Sequence, residues 1–267
     1  MIKDSVINIV LKAYLGLLFL FVFTPIIASV VFSFNSDRFP TIPLGEFTLH
    51  WYQLILDDPD MMSAALNSVF VAITSAILAT FIGFCTAYSD YRYDFRFKGP
   101  YLALALLPPT IPLIIMALAM LAWFSRFGLS GSVLSIILAH TVLCTPFAMA
   151  IIRLRLSQMD DSLEAAAWNL GASEWGAMRE VIIPFTRPAI VSSLCLTAAV
   201  SFDEFAVAWF VSGLNKTVPV VILEIVQGNI DPRVNAIGTF VFLTSMTLVV
   251  VAQIIFMKNQ KNGSHRA

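Results

Sequence analysis

The chain has 267 residues, 58% of them hydrophobic and 12% charged, with a formal net charge of −1. A soluble domain carries about a quarter charged residues, so this composition excludes a free-standing soluble protein, and the near-neutral charge offers no surface for nucleic acid. Cys85, Cys144 and Cys195 all lie in apolar runs without metal-ligand spacing and read as small buried hydrophobes.

Uncharged stretches mark the spans, since a helix crossing the hydrocarbon needs about 20 apolar residues. Residues 13–36 carry no charge and predict a first span over 12–34. This run is too long for a cleaved signal and lacks a small-residue cleavage site, so it reads as a retained anchor. The loop 37–60 is acidic and aromatic, with Trp51 and Tyr52 suited to the membrane interface and a short amphipathic helix expected at 48–56. A second span is predicted over 62–89, where Asn67 and Ser68 suit interhelical hydrogen bonds and Gly83 and Ala87 suit close packing. The third, over 100–124, contains Pro108, Pro109 and Pro112. Proline inside a helix removes a hydrogen bond and kinks it. In a membrane such a kink is tolerated against protein or a water-filled cavity, so these prolines mark either a pore-lining bend or a static packing kink. The fourth span covers 132–154, with His140 near its middle either as a proton relay or, the favoured reading, as a hydrogen-bonded packing residue. The fifth covers 189–211 and is broken only by Asp203 and Glu204; the sixth covers 234–257. The fold expected is an all-α integral membrane protein, one transmembrane domain over 1–267 with six transmembrane helices and a short extra helix between spans four and five.

Lys and Arg orient this arrangement. With the N-terminus inside, Lys3, Lys12, Arg92, Arg96, Lys98, Arg153, Arg155, Arg179, Arg187, Lys258, Lys261 and Arg266 fall on one side, and Arg38, Arg126, Lys216 and Arg233 on the other. Twelve against four is a positive-inside bias that places both termini and residues 153–188 in the cytoplasm.

Residues 153–188, RLRLSQMDDSLEAAAWNLGASEWGAMREVIIPFTRP, form a polar and basic island between two apolar runs, with a loop over 157–187. Inside it a short helix has its own start and stop signals. Asp161 or Ser162 can cap the N-terminus, and Glu164 follows Asp161 by three residues as in a capping box. Leu163, Ala166, Ala167 and Leu170 share one face at helical spacing. Gly171 is placed to end the helix as a left-handed residue, and Pro184 and Pro188 lead into the next apolar run. A short capped helix laid beside a membrane reads as a docking element for a soluble partner.

Asp203 and Glu204, in SFDEFAVAWF, are the sharpest charges within a span. Each costs about 2.5–3.5 kcal/mol on insertion scales, so such residues face a bundle interior or a water-filled path. On a continuous helix they stand about 100° apart, which allows one to line a path while the other pairs elsewhere. They also lie about 24 Å along the helix from Arg187, in the outer half, where solvation at the membrane edge is the other reading. If they line a path, carboxylates favour a cationic or amine-bearing solute. The chain has no G-x-x-x-x-G-K-[ST] loop for ATP, no H-E-x-x-H motif and no potassium-channel filter sequence.

The island resembles the EAA loop of bacterial ABC-importer permeases with a six-span type I core, whose pattern is E-A-A-x-x-x-G, nine residues, then I-x-L-P. Gly171 matches the glycine, Val181, Ile183 and Pro184 match the end, and Ala166 and Ala167 match the paired alanines. Ala165 stands where the family has glutamate, with Glu164 one residue earlier. SFNSDRF at 33–39, FTLHWYQLILDD at 47–58, ALNSV at 65–69, AYSDYRYDFRFKG at 87–99, HTVLCTPFAMAIIRLRL at 140–156 and SFDEFAVAWFVSG at 201–213 look like the second permease of spermidine/putrescine-type importers. The resemblance implies a transport subunit rather than an enzyme, in a bacterial inner membrane, working by alternating access. Its implied partners are a homologous second permease, two ATPase subunits that hold the ATP and Mg, and a periplasmic solute-binding protein. It assigns Ser162, Leu163, Glu164, Ala165, Ala166, Ala167, Leu170, Gly171, Ala172 and Ser173 to coupling with the ATPase. Asp203, Glu204, Pro108, Pro109 and Pro112 are the residues for the path. Polyamines lead the expected solutes, with opines, aminophosphonates and other small solutes as alternatives. Outside this class stand an ion-coupled secondary transporter using Asp203 and Glu204, and an intramembrane enzyme, which the missing catalytic set disfavours.

Overall fold

A computed structural model describes residues 2–38, 41–228 and 231–264; His265 and Arg266 lie outside the described residues. Among the described residues twelve α-helices follow in order: α1 (Ile2–Phe32), α2 (His50–Leu56), α3 (Pro59–Arg92), α4 (Lys98–Ala105), α5 (Leu113–Arg126), α6 (Val133–Leu156), α7 (Asp161–Asn169), α8 (Glu174–Ala177), α9 (Ile183–Asp203), α10 (Ala206–Val211), α11 (Val218–Gly228) and α12 (Arg233–Ser264). Among the described residues the only β feature is an isolated bridge between Asn35 and Phe47. Among the described residues four helical stretches are long and apolar enough to cross a membrane: Ile7–Phe32, Pro59–Arg92, Val133–Leu156 and Glu174–Asp203.

Two of the expected spans are discontinuous. In place of one helix over 100–124 the chain forms α4, a 3₁₀ turn at Pro108–Thr110, and α5. The reason is the one proline supplies everywhere: Pro108, Pro109 and Pro112 offer no N–H to the preceding turn, and Pro112 itself is extended, with φ −54° and ψ 127°. The fifth span stops at Asp203; Glu204 is extended, with φ −75° and ψ 119°, and a separate helix α10 resumes at Ala206. The 100° separation expected of Asp203 and Glu204 on a continuous helix therefore does not apply.

The chain divides into two compact units. The first holds residues 1–62 and 222–243. Here the loop after α1 folds around Asn35, whose side-chain oxygen accepts the Gly45 N–H at 2.7 Å and whose carbonyl accepts Trp51 Nε1–H at 2.7 Å. Phe34 stacks on Phe47 with centroids 5.2 Å apart. The expected short helix at 48–56 is α2. Arg233 binds Asp231 at 2.8 Å and Asp58 at 3.5 Å, tying the start of α12 to the segment before α3.

The second unit holds residues 63–221 and 244–267. Helix α6 is its centre, because its small and β-branched residues allow contact on most sides. Ile136, Ile137, Ala139 and Leu143 join Met116, Ala117 and Phe124 of α5 and Val207, Ala208 and Val211 of α10 in one cluster. Met149, Ile152 and Leu156 join Ala87, Ile182 and Ala189 in another. Gly83 lets α3 approach α6 closely: a Cβ there would stand 2.7 Å from the Met149 backbone nitrogen. His140 is fully buried and shares a 2.8 Å hydrogen bond with Ser201 of α9. Asn67 and Ser68 bond to backbone rather than to a neighbouring span's side chains. Asn67 donates to the Lys216 carbonyl at 3.2 Å, and Ser68 Oγ accepts the Val218 N–H at 2.8 Å, satisfying an orphan donor at the start of α11.

Candidate functional site

The capped helix of the island is α7. Its N-cap is Asp160, one residue before the position expected from the capping-box spacing; Asp160 Oδ1 accepts the Ser162 N–H at 2.9 Å. That bond holds the Asp160 carboxyl below its usual pKa. Glu164 does not complete a capping box, because its carboxylate turns elsewhere. The other end follows the expectation from Gly171. Gly171 has φ +86°, its N–H reaches the Trp168 carbonyl at 2.9 Å, and the Ala172 N–H reaches the Ala167 carbonyl at 3.0 Å. This double closure is a Schellman motif, which needs a residue free to adopt the left-handed region. Ser173 then caps α8 by accepting the Gly176 N–H at 3.2 Å.

Burial divides α7 into two faces. Ser162, Leu163, Ala165, Ala166, Leu170 and Gly171 are exposed, as is Ser173 beyond them; Ala167 and Ala172 are half-buried. Leu170 is 89% exposed, and Trp175 of α8 is 80% exposed. The face turned inward is built by Glu164, 6% exposed, whose Oε1 stands 3.3 Å from Arg92 Nε at the end of α3. The Arg92 guanidinium also lies 4.7 Å from the centre of the Trp168 ring. In the sequence Arg92 is one of the twelve positive charges on the N-terminal side and lies within AYSDYRYDFRFKG. Its partner is invisible to local spacing, because α3 and α7 are far apart in the chain.

Beside this pair, Asp90 gathers two cations, Arg153 at 2.5 Å and Lys98 at 3.6 Å. Arg155 bonds the Phe185 carbonyl at 3.1 Å and lies 4.1 Å over its ring. These contacts pin the ends of α3, α4, α6 and α9. After α8, the chain makes a π turn over Met178–Ile182 before entering α9. Pro184, which has no N–H for the Glu180 carbonyl, sits at the exit from that turn.

Asp203 and Glu204 sit at the break between α9 and α10. Glu204 Oε1 accepts the Val207 N–H at 2.9 Å and so caps α10. Glu204 is half-buried, whereas Asp203 is exposed and carries no cap. Together with Ala199, Val200 and Ser245 they line a cavity of about 370 Å³. The Ser245 hydroxyl is buried there without a hydrogen-bond partner. Pro108 is half-buried, Pro109 and Pro112 are exposed, and none of the three lines this cavity. The prolines instead shape the 3₁₀ turn, which packs against α6. The structure thus brings the two acids together around one cavity and leaves the proline group elsewhere.

The profile of the family described as "Binding-protein-dependent transport system inner membrane component" matches residues 79–259. The spermidine/putrescine transport system permease protein PotC of Haemophilus influenzae is 36% identical over 249 residues, covering 93% of this chain and 96% of that protein. The putrescine transport system permease protein PotI of Escherichia coli K12 is 31% identical over 232 residues, covering 84% of this chain and 82% of that protein. Among solved structures, a bacterial ABC transporter involved in import of the acidic polysaccharide alginate superposes with a TM-score of 0.71 at 18% identity, covering 96% of this chain and 97% of that one. At that identity the likeness shows the fold.

Proposed function

We propose a function from this premise: the chain belongs to the binding-protein-dependent transport system inner membrane components, and is a permease subunit of an ABC importer rather than an enzyme. Its solute, in our reading, is a polyamine. The observation that carries this is the exposed carboxylate of Asp203 on the cavity at the α9–α10 break. The names of PotC and PotI support it, since those permeases serve spermidine and putrescine. Asp203 lowers the free energy of a passing ammonium group by a charge-assisted contact. Glu204 holds the break open by capping α10. Binding at this cavity stays weak enough for release, and selection rests with a separate periplasmic binding protein.

Transport is by alternating access. This chain pairs with a homologous permease, and two ATPase subunits, which hold ATP and Mg, dock from the cytoplasm. One of them receives the exposed face of α7, Leu163, Ala166 and Leu170, by laying it in an apolar groove. The Lys and Arg distribution supports a cytoplasmic α7 and cytoplasmic termini. Uptake of labelled spermidine or putrescine by the reconstituted complex tests the solute. Saturable, ATP-dependent uptake that falls roughly tenfold in Asp203→Asn is expected. Uptake of an uncharged or anionic solute in preference to polyamines overturns the reading.

A further inference from the structure

Glu164 lies one residue before the position at which the family pattern carries its glutamate, and its carboxylate faces into its own chain. It is 6% exposed and ion-paired to Arg92 at 3.3 Å, and the Arg92 guanidinium lies over the Trp168 ring at 4.7 Å. Two successive turns of α7, at the buried Glu164 and at Trp168, which is 37% exposed, are therefore held by a single cation at the end of α3. The grip is well placed to carry force. A mostly buried carboxylate loses much of its hydration, so it is committed to its partner. The planar guanidinium satisfies the carboxylate through Nε while presenting its flat side to the indole. A second route joins α7 to the bundle through α8 and the π turn, against which α7 packs. That route leads into α9. The Arg92 contact leads into α3, a helix of 34 residues.

We propose that Arg92, Glu164 and Trp168 form a clasp that makes α7 and the C-terminal end of α3 move as one body, so that displacement of α7 by the ATPase is delivered to α3 as well as to α9. Glu164 is thus a positioning residue and not a docking one. This rests on α7 being the ATPase-docking helix, and the test separates the two. Three complexes are reconstituted in liposomes with the partner permease and ATPases. One carries Glu164→Gln, one Arg92→Gln, and one the exchanged pair Arg92→Glu with Glu164→Arg. Each is measured for ATPase co-purification and for solute moved per ATP hydrolysed. The expected result for both single variants is co-purification within twofold of the parent and a transport-to-hydrolysis ratio about tenfold lower, with the exchanged pair recovering at least half of that ratio. A parent-like ratio in the single variants overturns the clasp. So does loss of ATPase co-purification in Glu164→Gln, which would make Glu164 a docking residue. If the exposed-face variant Leu170→Asp keeps its ATPase, the docking assignment itself fails, whatever the clasp variants do. Should a single variant fail to insert, Arg92→Lys and Glu164→Asp replace them. A second readout joins positions 92 and 168 with a thiol-reactive cross-linker that spans the space of the two replaced side chains, after Arg92→Cys and Trp168→Cys in a background without native cysteines. The cross-linked complex is expected to retain more transport than the same variant left unlinked. A cross-linked complex that is inactive while its unlinked form transports shows that α7 must move against α3, and overturns the proposal.

Discussion

Glu164 and Glu204 each stand at a short helix flanked by breaks, and each is drawn away from solvent, yet they are held in different ways. Glu204 is satisfied locally, by the N–H of a residue three positions on, and its environment is a cavity shared with Asp203. Glu164 is satisfied by a cation from a distant helix, and its environment is packed protein. A locally capped acid can be reached by a small solute without dismantling anything else. An acid committed to a remote partner transmits position. The difference teaches that acids in this chain are sorted by what completes their hydrogen bonding more than by depth or spacing.

The largest effect expected is on the outward face of α7. Leu170→Asp puts a carboxylate where an apolar contact with a soluble partner is proposed. An unpaired charge buried in such a contact costs about 3 kcal/mol or more, over a hundredfold in affinity. Pull-down of the ATPase with the variant measures it, and undiminished capture would remove α7 from the interface. Ala167→Asp is a less clean probe, because Ala167 is half-buried against its own chain.

Next in size is the cavity. Asp203→Asn replaces a charge-assisted contact to an ammonium by a neutral one, a loss of about 1.5 kcal/mol or roughly tenfold in polyamine uptake. Glu204→Gln keeps a carbonyl oxygen for the Val207 N–H and should reduce uptake less than Asp203→Asn does. Equal losses would erase the division of labour between the two acids. Glu204→Ala removes the cap and should cost about 1 kcal/mol of stability, as caps commonly do. Thermal melting of the purified complex reads it.

Gly171→Ala forces a Cβ into the left-handed region at φ +86° and should cost about 1 kcal/mol, confined to the end of α7. Faster hydrogen exchange at the Gly171 and Ala172 amides, with the rest of the bundle unchanged, is the expected signature. A smaller effect still is expected from acid at the Asp231–Arg233 pair. Burial raises the Asp231 pKa, but the hydrogen bonds and charge of Arg233 outweigh it and leave it below the usual carboxylate value. A depressed carboxylate contributes stability above its unfolded value, near 3.9, and loses it as pH falls through the folded one. Asp231→Asn should therefore flatten the stability profile below about pH 4 and leave it unchanged at pH 7 apart from a constant offset.

Much of this molecule is written in local sequence. Apolar runs, prolines and the Gly171 stop set where helices begin, bend and end, because each acts through backbone hydrogen bonding within a few residues. The segregation of Lys and Arg set an orientation, and the resemblance of the 153–188 island to the EAA loop implied an importer permease. Local signals also fell short in identifiable places. The capping-box spacing suggested Asp161 or Ser162, whereas Asp160 is the cap, since Glu164 is taken by Arg92. Asp203 and Glu204 were visible as costly charges, but no spacing rule announced that the helix would break between them and α10. The tertiary structure alone decided which acid turns inward and which toward a cavity, that Ser245 joins Asp203 and Glu204, and that Arg92 meets Glu164 and Trp168. Those outcomes depend on partners brought close only by packing, where exclusion of water makes an ion pair or an unpaired hydroxyl count for far more than it does along the chain.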